Sequence, residues 1–139
     1  MSVHAKDRNE TATQYVVTAQ SLQIETIKYL MNENRIGKKW RFILVQDAIL
    51  KVSELLDNTV AANATFPSNE EKLADRKKYM QKALVNCYQL QNKLLTILRV
   101  IPDKVTADSM KNVTSLLLDE VRFIRSAYQN AKVIGKQKV

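Results

Sequence analysis

The chain is poor in the residues that turn a backbone and in those that carry chemistry. Its 139 residues include two glycines, two prolines, one cysteine, one histidine and one tryptophan. Average usage is about 7% Gly and about 5% Pro. A sandwich or barrel turns often and needs more of both, so a β-rich fold is disfavoured. The lone Cys87 excludes an internal disulfide. His4 sits by itself in a polar N-terminal stretch, so a structural zinc site lacks ligands. Di-iron bundles need Glu-x-x-His pairs on facing helices, and none is present. Gly-rich phosphate loops, G-x-S-x-G elbows and H-E-x-x-H pairs are also missing. Nothing in the sequence asks for a cofactor. No run of 18 apolar residues occurs, and Met1 to Glu10 lacks the apolar segment of a secretory signal. The expectation is a cytoplasmic, reduced protein without a membrane span.

What is present is apolar periodicity and positive charge. Apolar residues make up 45% of the chain, enough for a folded domain, and 22 Lys and Arg against 14 Asp and Glu give a net charge of +8. The length suits one domain covering residues 1–139.

Four segments carry a helical apolar stripe. The first is expected over about 11–32, with Thr11 and Gln14 at capping-box spacing. Its inward row is Tyr15, Ala19, Leu22, Thr26 and Leu30, with Val16, Ile27 and Met31 beside it. Gly37 suits a left-handed position after its end. The second runs over about 39–62 on Val45, Ala48, Ile49, Val52, Leu55, Leu56 and Thr59. Ser68 and Glu71 form another capping box ahead of a third helix over about 69–100. Its stripe comprises Leu73, Met80, Ala83, Cys87, Leu90, Leu94, Ile97 and Ile101, and Pro102 stops it. Thr106 or Asp108 caps a fourth helix over about 107–131, striped by Met110, Val113, Leu117, Val121, Ile124 and Tyr128. Short connections force neighbours to be antiparallel, so the fold expected is an all-α, up-down-up-down four-helix bundle. Residues 1–10 and 132–139 are expected to be disordered tails.

The basic residues fall into two groups. Arg76, Lys77, Lys78 and Lys82 lie early in the third helix, and Arg122, Arg125 and Lys132 lie late in the fourth. Antiparallel packing puts both sets at one end, together with Lys6 and Arg8. Arg35, Lys38, Lys39, Arg41, Arg99 and Lys104 gather at the other. Within Arg35 to Phe42, Trp40 is open to two readings. It is a hydrophobic clamp where the second helix begins, or a stacking aromatic in a phosphate-contacting corner. Charge at both ends suits a long polyanion more than a small ligand. Glu120 falls near the inward edge of the fourth helix and is expected to pair with an Arg from a neighbour. Cys87, on an apolar stripe, reads as a small buried hydrophobe.

Lys38-Lys39-Trp40-Arg41-Phe42 with the helix ending in Ala61-Ala62, the run from Arg76 to Arg99, and Ser115-Leu116-Leu117-Leu118-Asp119-Glu120-Val121-Arg122 together resemble one family. It is the four-helix bundle family of 23S rRNA intervening-sequence proteins and of accessory variability determinant (Avd) proteins of diversity-generating retroelements. The similarity covers roughly residues 12–130. It implies a basic bundle that assembles into a ring-like pentamer and binds a reverse transcriptase and its template RNA. The matching basic positions are Lys38, Lys39, Arg41, Arg76, Lys77, Lys78 and Arg99. Many relatives carry Gly-Gly-Trp or Gly-Trp near the end of the fourth helix, where this chain has Ser126-Ala127-Tyr128.

The leading expectation is a non-enzymatic, homo-oligomeric adaptor that binds RNA, with DNA as an alternative. The rival is a protein-interaction module, since Ile43, Leu44, Leu50, Leu116, Leu118 and Phe123 lie off the main stripes. A third reading is an enzyme using Glu120 with Arg122 or Arg125 in a bundle pocket.

Overall fold

The computed structural model describes the backbone of residues 2–135 and the side chains of residues 12–135. Four helices, α1 (Ser2–Leu30), α2 (Gln46–Ala64), α3 (Glu70–Val100) and α4 (Lys111–Asn130), account for most of it. A 3₁₀ turn (Lys38–Trp40) and a π-helical turn (Arg41–Val45) lead into α2. The described residues contain no strand, and no helix is long and apolar enough to cross a membrane. Each helix packs on its two neighbours around the ring α1–α2–α3–α4. Short links between sequential helices make this an antiparallel four-helix bundle.

The inward stripes meet as the periodicity requires. Tyr15, Leu22, Leu30, Val52, Leu55, Met80, Leu90, Ile97 and Ile124 are almost completely buried. Ile27 and Met31, expected beside the core, are instead exposed. Leu44, expected outside, is buried because it stands one turn before Ala48 on the core side of the chain.

The helix ends differ from the sequence reading for local reasons. α1 begins at Ser2, so its helical backbone runs through the stretch expected to be a tail. Thr11 and Gln14 therefore lie inside a helix, and Gln14 Nε2 donates to Thr18 Oγ1 at 3.2 Å. The side chains of His4, Lys6 and Arg8 lie outside the described residues. After α1 the chain turns on Asn32. Its carbonyl accepts from Arg35 N (3.0 Å) and Ile36 N (2.9 Å), and its Oδ1 accepts from Asn34 N (3.0 Å). Gly37 is then extended, at φ −62° and ψ 156°, and no left-handed residue is needed.

The cap of α3 is Asn69, not Ser68: Asn69 Oδ1 accepts from Lys72 N at 2.8 Å. Before α4, Thr106 and Ser109 bond each other reciprocally, Thr106 N to Ser109 Oγ (3.1 Å) and Ser109 N to Thr106 Oγ1 (3.0 Å). That box closes a preliminary turn, so α4 starts at Lys111, later than expected. Beyond α4 the chain is extended, and Ile134 N donates to Pro67 O at 2.9 Å. This contact ties residues expected to fray to the α2–α3 loop. Residues 136–139 lie outside the described part.

Replacing Asn69 by Ala should cost about 1 kcal/mol of stability through loss of the α3 cap. Ser68→Ala should stay within about 0.5 kcal/mol. Urea unfolding of the two variants checks which residue holds the helix end.

Candidate nucleic-acid interface

The first basic group divides between two faces of α3. Lys77, Gln81 and Tyr88 stand at i, i+4 and i+11 and line up toward α4. Lys77 Nζ lies 4.9 Å from the centre of the Tyr128 ring, and Gln81 Nε2 donates to Tyr128 Oη at 3.1 Å. Arg125 stacks 5.9 Å from the Tyr88 ring centre and donates from Nη2 to Tyr88 Oη. Lys78, Lys82 and Gln89 line up one step round the helix toward α2. There Lys82 Nζ lies 5.6 Å from the Tyr79 ring centre. None of Lys77, Lys78, Lys82 and Arg125 has a carboxylate partner among the described residues. The surface across α3 onto α4 thus carries unpaired cations alternating with aromatic rings, the chemistry that holds phosphates and stacks bases.

The remaining candidates are arranged differently. Arg76 is half-buried and donates from Nη1 to Thr65 O at 3.1 Å, so it anchors the α2–α3 loop. Arg122 is exposed, pairs with Asp119 at 3.2 Å and lies over Phe123. At the opposite end Arg41 and Lys38 share Glu33, at 2.6 and 3.9 Å. Arg35 covers the Tyr29 ring at 4.0 Å and donates to Tyr29 O at 3.2 Å. Lys39 lies over Trp40, which is half-buried against the core. The clamp reading of Trp40 is the one the packing favours. Arg99 is exposed at the C-terminal turn of α3. From Lys78 to Arg99 the helix rises about 30 Å, so the two ends are separate surfaces. The end around Arg35 to Arg41 is the more neutralised of the two.

Three contributors escaped the sequence reading. Tyr128, expected on the inward row, does pack against the core, and its ring and hydroxyl also meet Lys77 and Gln81. Tyr88 shares the α3 phase of Lys77, and Lys51, off the α2 core stripe, lines a groove with Lys78 and Lys82; neither stands out in the sequence as part of a site.

Glu120 contradicts its expected role. It is 0% exposed, and neither carboxylate oxygen has a hydrogen-bond partner among the described residues. No Arg among the described residues pairs with it. Arg122 and Arg125 are exposed on the surface of α4, so the bundle does not assemble the Glu–Arg pocket considered above. Burial pushes the Glu120 carboxyl up to about 9, so it is protonated at neutral pH. The Tyr15 phenol is pushed up by burial; nearby Arg76 opposes this and Glu120 adds to it. Burial first, and Glu120 second, also push up the Cys87 thiol. Cys87 is accordingly an inert core residue. No group of three or more His, Cys, Asp or Glu among the described residues could hold a metal ion.

No family model, curated protein or solved structure matches the chain.

Glu120 makes stability fall with pH. The unfolded chain releases this proton above about 4.5, while the folded one keeps it up to about 9. The stability it confers is therefore full below about 4.5 and is lost as pH rises toward 9. Glu120→Gln should flatten this slope and stabilise the protein by on the order of 3 kcal/mol at pH 7, from 1.36 kcal/mol for each of about 2.5 pH units. Urea midpoints of both proteins between pH 5 and 9 test this. Parallel pH profiles would show that Glu120 is not protonated in the fold.

Proposed function

We propose that this protein is a non-enzymatic, basic nucleic-acid-binding adaptor whose main contact surface crosses α3 onto α4. The observation that carries this reading is the pairing of carboxylate-free cations with aromatic rings on that surface: Lys77 with Tyr128 and Arg125 with Tyr88. A net charge of +8 adds long-range attraction for a polyanion. Cations supply salt-dependent affinity, and rings tolerate any base, which favours single-stranded RNA over a small ligand. The resemblance to the Avd and intervening-sequence bundles supports the same reading and extends it to a reverse transcriptase partner.

A second observation supports the association that an adaptor needs. Val17, Ile24, Ile27 and Met31 form an exposed apolar stripe on α1, opposite its core stripe. Phe42 and Ile43 on the π-helical turn and Leu50 on α2 are also exposed, Phe42 at 84%. Surfaces of this kind seek a protein partner. We assign them to self-association, with the pentamer implied by the resemblance as the expected state.

Two measurements test the proposal. Fluorescence anisotropy with a labelled single-stranded RNA should show binding at about 100 mM salt. Lys77→Gln with Arg125→Gln should weaken it about tenfold and reduce the log–log salt slope by about 1.4, at about 0.7 per phosphate contact. No binding by the unaltered protein would overturn the reading. Light scattering before and after RNase should give a mass near five subunits. Ile24→Lys with Leu50→Lys should shift it toward the monomer mass of 15.9 kDa. A nuclease-independent monomer in the unaltered protein would remove the ring.

A further inference from the structure

The unpaired cations of α3 do not all face α4. Lys78 and Lys82 turn toward α2, where Lys51 meets them across a groove of about 470 Å³. The groove is shallow and open to solvent, so a strand can lie across it. Its floor is a network of amides. Asn86 is only 6% exposed. Its Oδ1 accepts from Asn58 Nδ2 at 2.7 Å, and its Nδ2 donates to Gln89 Oε1 at 3.1 Å and to Glu54 Oε2 at 3.3 Å. The same Glu54 oxygen receives Lys51 Nζ at 3.3 Å. One carboxylate thus stands against three lysines, and the groove remains positive.

Asn86 uses both ends of its amide on its neighbours and so fixes their orientation. Asn58 is held through its amide nitrogen, leaving Oδ1 as an acceptor. Gln89 is held through its amide oxygen, leaving Nε2 as a donor. An oriented acceptor and an oriented donor, flanked by ammonium groups, match the edge of a nucleobase attached to its phosphate. A nonspecific electrostatic surface has no need of a buried Asn that orients two amides.

Building on the adaptor reading above, we propose that the α2–α3 groove is a nucleotide-unit site on single-stranded nucleic acid. One unstacked base meets Asn58 and Gln89, while Lys51, Lys78 and Lys82 take the adjoining phosphates. Gln81 lines the groove and also donates to Tyr128 Oη on the α4 side, so the two surfaces adjoin and one strand can occupy both. The groove supplies base preference, and the α3–α4 face supplies stacking and charge. A duplex, whose base edges are paired, cannot offer this unit.

Anisotropy with labelled oligo(A), oligo(C), oligo(G), oligo(U) and a duplex of equal length tests the site, using the full chain. The unaltered protein should prefer at least one homopolymer about tenfold over the others and bind the duplex more weakly. Asn58→Ala with Gln89→Ala should erase the preference among homopolymers while leaving the salt slope unchanged. Lys82→Gln, an exposed position that does not threaten folding, should lower the slope by about 0.7, whereas the charge-matched Lys28→Gln on α1 should not. Equal affinity for all homopolymers, equal affinity for duplex, or unaltered binding in the Asn58/Gln89 and Lys82 variants would overturn the groove and leave the α3–α4 surface standing. Absence of any binding by the unaltered protein would remove both.

Discussion

The structure depends on how α3 is shared. Its 31 residues bury Met80, Ala83, Cys87, Leu90, Leu94 and Ile97 in the core. The packing of that one stripe sets the rotation of the whole helix. Once the stripe is buried, the 100° step per residue leaves no freedom elsewhere. Lys77, Gln81 and Tyr88 must face α4, and Lys78, Lys82 and Gln89 must lie toward α2. Surface chemistry on three helices thus follows from apolar burial on one.

Polar groups inside the bundle divide by whether they are satisfied. Asn86 is buried and fully engaged, so its burial costs little and it orients its neighbours. Glu120 is buried with no hydrogen-bond partner among the described residues, and the fold accommodates it by keeping the carboxyl neutral. The effect spreads to Tyr15 and Cys87, which burial had already made harder to ionise. Replacing Glu120 by an apolar residue would simplify the core, so its presence is a cost that the remaining packing offsets.

Charge is distributed just as unevenly. Lys38, Lys39 and Arg41 look equivalent to Lys77, Lys78 and Lys82 when counted along the chain. In the fold, Glu33 draws in Lys38 and Arg41, and Trp40 packs beneath Lys39. Lys77, Lys78 and Lys82 have no such carboxylate among the described residues. A count of positive residues therefore overstates one end of the bundle and understates the other.

By itself the sequence determined the helical class, the four inward stripes and the basic character of the surface. Each of these follows from local periodicity or from composition, which no tertiary contact can alter. It placed Tyr15, Leu55, Leu90 and Ile124 correctly because burial of a whole stripe is redundant across many residues. Helix ends were less legible. Asn69 and Ser68 are both good caps, and only the backbone path chooses between them. The site was partly legible: Lys77, Lys78, Lys82 and Arg125 stand out as charges, but their ring partners do not. Tyr128 has the phase of a core residue, and Asn86 is far in the chain from Lys51 and Asn58. Only packing of α2 against α3 makes them one groove, because neighbours across a helix interface are set by register and not by sequence distance. The same holds for Glu120: its phase marks it as inward, and only the surrounding helices decide that none of the described arginines reaches it.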